Sequence, residues 1–160
     1  VKLFVLRHGI AEERADGIDS QRALTDEGRR KLAKVIAQAE KAGLAPDFIL
    51  TSPYVRARQT AEIAAKALGH SDPLIESDKL LPYSNPLELW EELRGYREAE
   101  QVLVVGHNPQ LTELVCLLAG APGGSIPMKK AGLACFHLRG VGPQPQATLS
   151  WMLTAKLAGA

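Results

Sequence analysis

The chain alternates short, wholly apolar runs with longer stretches in which apolar residues recur every three or four positions. Leu3-Phe4-Val5-Leu6 is the first run, and Arg7, His8 and Gly9 follow at once. Its length, its β-branched and aromatic content and its stop at a glycine predict a buried strand. A polar, charge-rich loop from Ala11 to Arg22 comes next, long enough to be functional rather than a simple connector. Thr25 then predicts the cap of a helix from about Asp26 to Ala42, with Leu32, Val35, Ile36 and Ala39 as its buried stripe. Gly43 suits its end, and Gly28 in its first turn weakens it slightly.

Asp47 to Thr51 reads as a second strand, centred on Phe48, Ile49 and Leu50 and ended by Ser52-Pro53. A helix from about Tyr54 to Leu68 follows, with Ala57, Ala61, Ala64, Ala65 and Leu68 near its packing side and Gly69 at its end. Arg56, Gln59 and Thr60 share another face. Leu74 to Glu76 predicts a short edge strand. Asn85 and Pro86 open a helix expected to reach about Glu98. Val102 to Val105 is a strong buried strand, and Gly106-His107-Asn108-Pro109 turns it into a helix that ends at Ala119. After a Gly/Pro-rich loop, Ala131 to Leu138 and Ala147 to Leu153 predict two strands joined as a hairpin. Strands alternating with helices, closed by a hairpin, imply an α/β architecture. It has three layers: a mostly parallel central sheet flanked by helices, with a late antiparallel hairpin.

Length and composition narrow the function. At 160 residues a single domain spanning 1–160 is expected, with neither internal repeat nor linker. The net charge of +1 gives no support for nucleic-acid binding, so any basic function must be local. No apolar run approaches membrane-spanning length, and the first strand is too short for a signal sequence, so no membrane partner is expected. Cys116 and Cys135 have neither metal-site nor redox spacing and sit in apolar segments, which favours buried thiols and a cytoplasmic setting.

The chemistry gathers at strand ends. The first strand delivers Arg7 and His8, the second Ser52 and, one turn on, Arg56, and the strand at Val102 delivers His107 and Asn108. In open α/β sheets, ligands bind outside the carboxyl ends of the strands. If these strands are parallel neighbours, two arginines and two histidines converge on one rim. Two guanidinium forks match a phosphate or carboxylate, and the helix starts at Tyr54 and Pro109 add backbone N–H groups. A neutral histidine there can act as nucleophile, and a second can donate hydrogen bonds.

The spaced motifs Leu6-Arg7-His8-Gly9, Leu24-Thr25 with Gly28, Ser52-Pro53-x-x-Arg56-Ala57-x-Gln59-Thr60-Ala61 and Gly106-His107-Asn108-Pro109 resemble the histidine phosphatase superfamily. That superfamily also holds the cofactor-dependent phosphoglycerate mutases. The short chain is similar to its small bacterial phosphohistidine phosphatase branch. The resemblance covers nearly the whole chain and implies catalytic roles for His8, Arg7, Arg56 and His107. His8 would be the phosphorylated nucleophile, and the other three would bind phosphoryl oxygens. Gly9, Arg22 and Asn108 would be substrate contacts. No His/Asp/Glu cluster has metal-ligand spacing, so no metal is expected, and no cofactor is expected. Larger members carry a general-acid carboxylate after the second helix; here Glu76 and Asp78 are on offer and neither is assigned.

The implied activity is hydrolysis of phosphohistidine on a signalling protein, such as a histidine phosphotransfer domain, with phosphate or another oxyanion in the site. The alternatives are a general small-molecule phosphomonoesterase and a non-catalytic phosphoprotein-binding module. Elsewhere the bland readings prevail. His70 reads as a loop residue, His137 as structural, Arg58 as facing solvent or a carboxylate, and Trp90 and Trp151 as packing. Lys129-Lys130 is a solvated pair or faces an acidic protein. A cysteine-nucleophile loop is disfavoured, because Pro122 and Val141 stand where its arginine would be.

Overall fold

The computed structural model describes residues 1–13 and 17–160. Arg14, Ala15 and Asp16, within the expected polar loop, lie outside the described residues. Its core is a six-stranded sheet. The strands are β1 (Lys2–Arg7), β2 (Phe48–Thr51), β3 (Ile75–Glu76), β4 (Gln101–Gly106), β5 (Leu133–His137) and β6 (Thr148–Leu153). The helices are α1 (Asp26–Lys41), α2 (Val55–Leu68), α3 (Pro86–Arg94) and α4 (Gln110–Ala119). The strand order is β3-β2-β4-β1-β5-β6. The first four strands run parallel; β5 is antiparallel to β1 and forms the expected hairpin with β6.

The period of two along β1 sorts its side chains into two cores. Phe4 and Leu6 pack with Leu32, Val35 and Ile36 of α1 and Ala57, Ala61 and Ala64 of α2. Leu3 and Val5 pack with Leu89, Trp90 and Leu93 of α3 and Leu111, Leu114 and Leu118 of α4. The central strands are thus buried on both faces, which is why they read as continuous apolar runs. Trp90 lies in the second core, and Trp151 meets Phe4 edge to face, so both tryptophans pack. Cys116 and Cys135 are buried free thiols.

Helix boundaries follow local signals closely. The Thr25 side chain accepts from Gly28 N at 2.9 Å, and that of Asn85 accepts from Leu87 N at 2.9 Å. α3 stops at Arg94, short of the expected Glu98. The chain turns there through Gly95 N to Glu92 O and Tyr96 N to Leu93 O, and the Tyr96 ring packs on Phe48, 5.0 Å between centroids. The tertiary contact overrides the helical period.

Gly28 has a reason that the helix does not supply. A Cβ there would stand 2.2 Å from Ile10 O, a backbone atom that cannot swing aside. The close approach lets the loop after β1 lie on α1, where Thr25 N donates to Ile10 O at 3.0 Å. Gly28→Ala is therefore expected to destabilise the fold by about 2 kcal/mol, as overpacking against rigid backbone does. Urea unfolding of the variant against wild type measures this, and an unchanged midpoint would contradict the contact.

Candidate active site

The sheet register builds the site. Arg7 pairs with Gly106, and Thr51 with Val105, so three parallel strands end level. The residues just past those ends are His8, His107 and Ser52. His8 N donates to Gly106 O, and Ser52 N to Val105 O, each at 3.0 Å. The His8 and His107 rings stand 5.1 Å apart between centroids. Arg56, in the first turn of α2, donates from Nε to His8 Nε2 at 3.3 Å. His8, Arg56 and His107 are all at most 5% exposed.

The hydrogen bonds assign the His8 tautomer. Its Nδ1 lies 2.7 Å from Gly9 O, which can only accept, so Nδ1 carries the proton. Nε2 accepts from Arg56 and keeps its lone pair on the side of the site. Gly9 is fixed in turn: its N–H donates to Thr60 Oγ1 at 3.2 Å, and the Thr60 hydroxyl donates to Arg56 O at 2.8 Å. The shared face of Arg56 and Thr60 on α2 thus locks the end of β1. Gln59 contributes from the same face, accepting from Leu24 N at 2.8 Å.

His107 Nε2 lies 2.7 Å from Ser52 Oγ, which itself accepts from Tyr54 N at 3.2 Å. With the Ser52 hydroxyl donating to Nε2, the His107 proton sits on Nδ1. Two polar atoms of the cluster, His107 Nδ1 and Arg7 Nε, are buried without a partner among the described residues. Arg7 is anchored through Nη1 to Met128 O at 3.0 Å. Buried donors without partners are costly, and a bound oxyanion would satisfy both.

Burial and the surrounding cations favour neutral imidazoles. Desolvation, with Arg56, Arg7 and Lys130 nearby and opposed by the bond to Gly9, pulls His8 down to about 4. Desolvation, then His8 and Arg56, pull His107 down to about 2. Both depressed values lie below the 6.5 of a free imidazole, so the unfolded chain takes up protons first as pH falls. Stability is therefore expected to drop from pH 6.5 downward, the His8 share being lost by about pH 4. An NMR titration of the His8 ring should show a midpoint near 4; one near 6.5 would contradict the buried, cation-flanked setting.

Asp19, which the sequence did not single out, enters the site. It sits on a 3-10 turn, Asp19–Gln21. Its carboxylate bridges Arg22 Nη1 at 3.0 Å and Arg56 Nη2 at 3.2 Å, and its carbonyl accepts from Arg56 Nη1 at 2.8 Å. The hydrogen bond from Arg22 and the Arg56 charge hold it below the usual carboxylate range, so it is ionised at neutral pH. Of the five N–H donors of Arg56, one goes to His8 and two to Asp19, leaving two without a partner among the described residues and open to an incoming anion.

The remaining expected contacts are placed less directly. Among the described residues Arg22 reaches the cluster through Asp19, and its Nε donates to Glu12 O at 2.7 Å. The Asn108 amide donates to Met128 O at 2.9 Å, and its oxygen accepts from the Thr112 hydroxyl at 2.9 Å, so it ties down the loop that anchors Arg7. Glu76 is paired with Arg58 at 3.0 Å, in line with the carboxylate reading of Arg58, and Asp78 is exposed on a second 3-10 turn, Asp78–Leu80. His70 Nδ1 contacts Pro46 O at 3.1 Å, and His137 is exposed; neither joins the site. Among the described residues no three His, Cys, Asp or Glu are grouped to hold a metal, and no helix is long and apolar enough to cross a membrane.

Such a cluster can receive a tetrahedral oxyanion between two guanidinium groups, with a neutral imidazole Nε2 facing its central atom. Comparison with known proteins leads to the same place. The family model described as histidine phosphatase superfamily (branch 1) matches residues 3–81, a span that includes Arg7, His8 and Arg56. An uncharacterized protein of Picosynechococcus is 39% identical over 140 residues, 83% of this chain and 82% of that one. A phosphohistidine phosphatase SixA homolog of Haemophilus influenzae is 30% identical over 141 residues, 75% of this chain and 78% of that one. The solved structure of the protein histidine phosphatase SixA complexed with tungstate superposes with a TM-score of 0.86 at 25% identity, covering 98% of each chain. With its level strand ends, its paired arginines and histidines and these relatives, the chain belongs to the histidine phosphatase superfamily.

Proposed function

We propose that this protein is a metal-independent phosphohistidine phosphatase that acts on a signalling protein, such as a histidine phosphotransfer domain, through a phospho-His8 intermediate. The observation that carries the reading is the pairing of a neutral, correctly tautomeric His8 with a cluster whose bonded carboxylate, among the described residues, is ionised. Asp19 is the described carboxylate bonded into the cluster, and two arginines keep it ionised. Glu76 is engaged by Arg58.

Two steps follow. His8 Nε2 attacks phosphorus as the P–N bond to the substrate imidazole breaks, and a phosphoryl oxygen takes over the Arg56 Nε–H. The leaving imidazole, protonated on its other nitrogen, departs neutral. Water then attacks phosphorus, the P–Nε2 bond breaks with its electron pair returning to Nε2, and phosphate leaves carrying the water protons, which it exchanges with solvent, while His8 is neutral again with Nδ1 protonated. Arg7, Arg56 and His107 Nδ1–H stabilise the charge on the transferring group in both steps. An alkoxide leaving group would need a proton, since its conjugate acid has a pKa of roughly 16, near that of water. An imidazole already protonated on its other nitrogen needs none from the enzyme, because it leaves neutral and its conjugate acid has a pKa of about 6.5.

The relatives support this reading. One curated relative carries a phosphohistidine phosphatase name, and a structural neighbour was solved with tungstate, itself a tetrahedral oxyanion. A bacterial cytoplasm, where phosphotransfer relays operate and free thiols persist, is the setting that goes with it. The test compares kcat/KM for a phosphohistidine protein with that for a serine or sugar phosphate. The phosphohistidine protein is expected to win by about 100-fold or more, the range a missing proton donor accounts for. Equal or faster hydrolysis of the alkyl ester would install the general phosphomonoesterase in its place.

A further inference from the structure

Beside the catalytic cluster lies a cleft of about 470 Å³. Arg7, Lys31, Lys129 and Lys130 line it together with apolar Ile10 and Ala155, and none of the described residues on its walls is acidic. In a chain of net charge +1, four cations around one cleft are a local concentration. Lys31 has a countercharge, Glu27 at 3.2 Å. Among the described residues, Lys129 and Lys130 have no ion pair.

The two lysines are held there by a tight turn. Gly132 N donates to Lys129 O at 2.8 Å. A Cβ on Gly132 would meet Lys129 O at 2.7 Å, so the turn needs that glycine. Ala131 takes a left-handed φ of 58°, unfavourable for a residue with a side chain. Its N–H lies 3.1 Å from Arg7 O and 3.0 Å from His8 O, and Arg7 N donates back to Gly132 O at 3.0 Å. The strained turn is thus stitched to the strand end that carries the reacting imidazole, the kind of place where strain persists because surrounding bonds over-determine it. Lys130 is close enough for its charge to act on His8.

We infer that Lys129 and Lys130, with Lys31 and the outer side of Arg7, form an anion-recognition subsite that binds carboxylates flanking the phosphohistidine of an acidic protein substrate. The inference rests on the phosphohistidine reading above and adds the charge of the partner. Arg7 belongs to both sites, so a carboxylate in the cleft and a phosphoryl group beside His8 can be held at once. The lysine charges attract an acidic face over a distance and fix its approach, a contribution that salt screens.

The test uses two phosphohistidine peptides, one flanked by glutamates and one by glutamines, with p-nitrophenyl phosphate as the small control. Wild type is expected to prefer the glutamate peptide by about tenfold in kcat/KM, as a few exposed charge pairs supply, and less so at high salt. Lys129→Gln, which spares the Lys130 charge beside His8, should cut that preference at least about twofold while leaving p-nitrophenyl phosphate turnover unchanged. No preference in wild type, an undiminished preference in the variant, or equal losses on peptide and p-nitrophenyl phosphate would each overturn the subsite while leaving the phosphohistidine reading intact. Wild type that hydrolyses p-nitrophenyl phosphate but neither peptide would overturn that reading instead. The unphosphorylated glutamate peptide then decides the subsite: inhibition of p-nitrophenyl phosphate turnover in wild type but not in the variant sustains it, and no inhibition removes it.

Discussion

His8→Ala is expected to lower kcat by at least about 1,000-fold, because no other group can accept the phosphoryl. The neighbouring His107 does not substitute. His107 Nε2 is engaged by Ser52, and its buried Nδ1 carries the proton in the tautomer assigned above, so neither nitrogen offers a free lone pair. The fold should survive. The His8 side chain is bonded to Gly9 O and to Arg56 Nε, while the strand ends are held by backbone bonds that alanine keeps. Removing a buried neutral ring leaves a small cavity, worth about 1–2 kcal/mol. Activity and an unfolding curve on the same preparation separate the two effects. A folded variant that retains more than a few per cent of wild-type turnover would refute the nucleophile.

Arg56→Ala should cost about 100- to 1,000-fold in kcat, the range found when a preorganised donor to a developing oxyanion is lost. Arg56 is placed for more than charge. Its Nε–H points at His8 Nε2, its Nη groups are steered by Asp19, and its guanidinium lies over the Tyr54 ring at 5.1 Å. Arg56→Lys is expected to recover little, because a single ammonium cannot reproduce a fork directed by three partners. Full activity in the lysine variant would show that charge alone is required. Asp19→Asn provides the complementary reading, since it loosens the carboxylate's hold on Arg56 while leaving the arginine in place.

The sequence displayed what local pattern governs. The apolar run of β1, the capped stripe of α1 and the Gly106-His107 turn after β4 each declare their element within a few residues. Parallel neighbours then bring Arg7, His8, Arg56 and His107 together, since residues just past strand ends share a rim once the register is level. What depends on contacts distant in sequence stayed hidden. Asp19 lies 37 residues from Arg56 and carries no signal beyond standing three residues before Arg22. Gly28 reads as a defect in a helix until Ile10 O is found against it. Gly9 and Asn108 read as substrate contacts from their motifs; what the motifs did not show is the second task their hydrogen bonds give them, holding His8 and the Met128 loop in place. α3 ends early because Tyr96 packs on Phe48, a pairing across the fold.

The central claim is that the phosphoryl group passes through His8. A single turnover with a phosphohistidine protein, quenched in alkaline denaturant because phosphoramidates are lost in acid, followed by mass spectrometry of the peptide that contains His8, tests it most directly. The account predicts a phosphoryl group on His8 that appears and decays within one turnover and is missing from His8→Ala. Turnover with no phosphoryl on His8, or with the group on another residue, would contradict it.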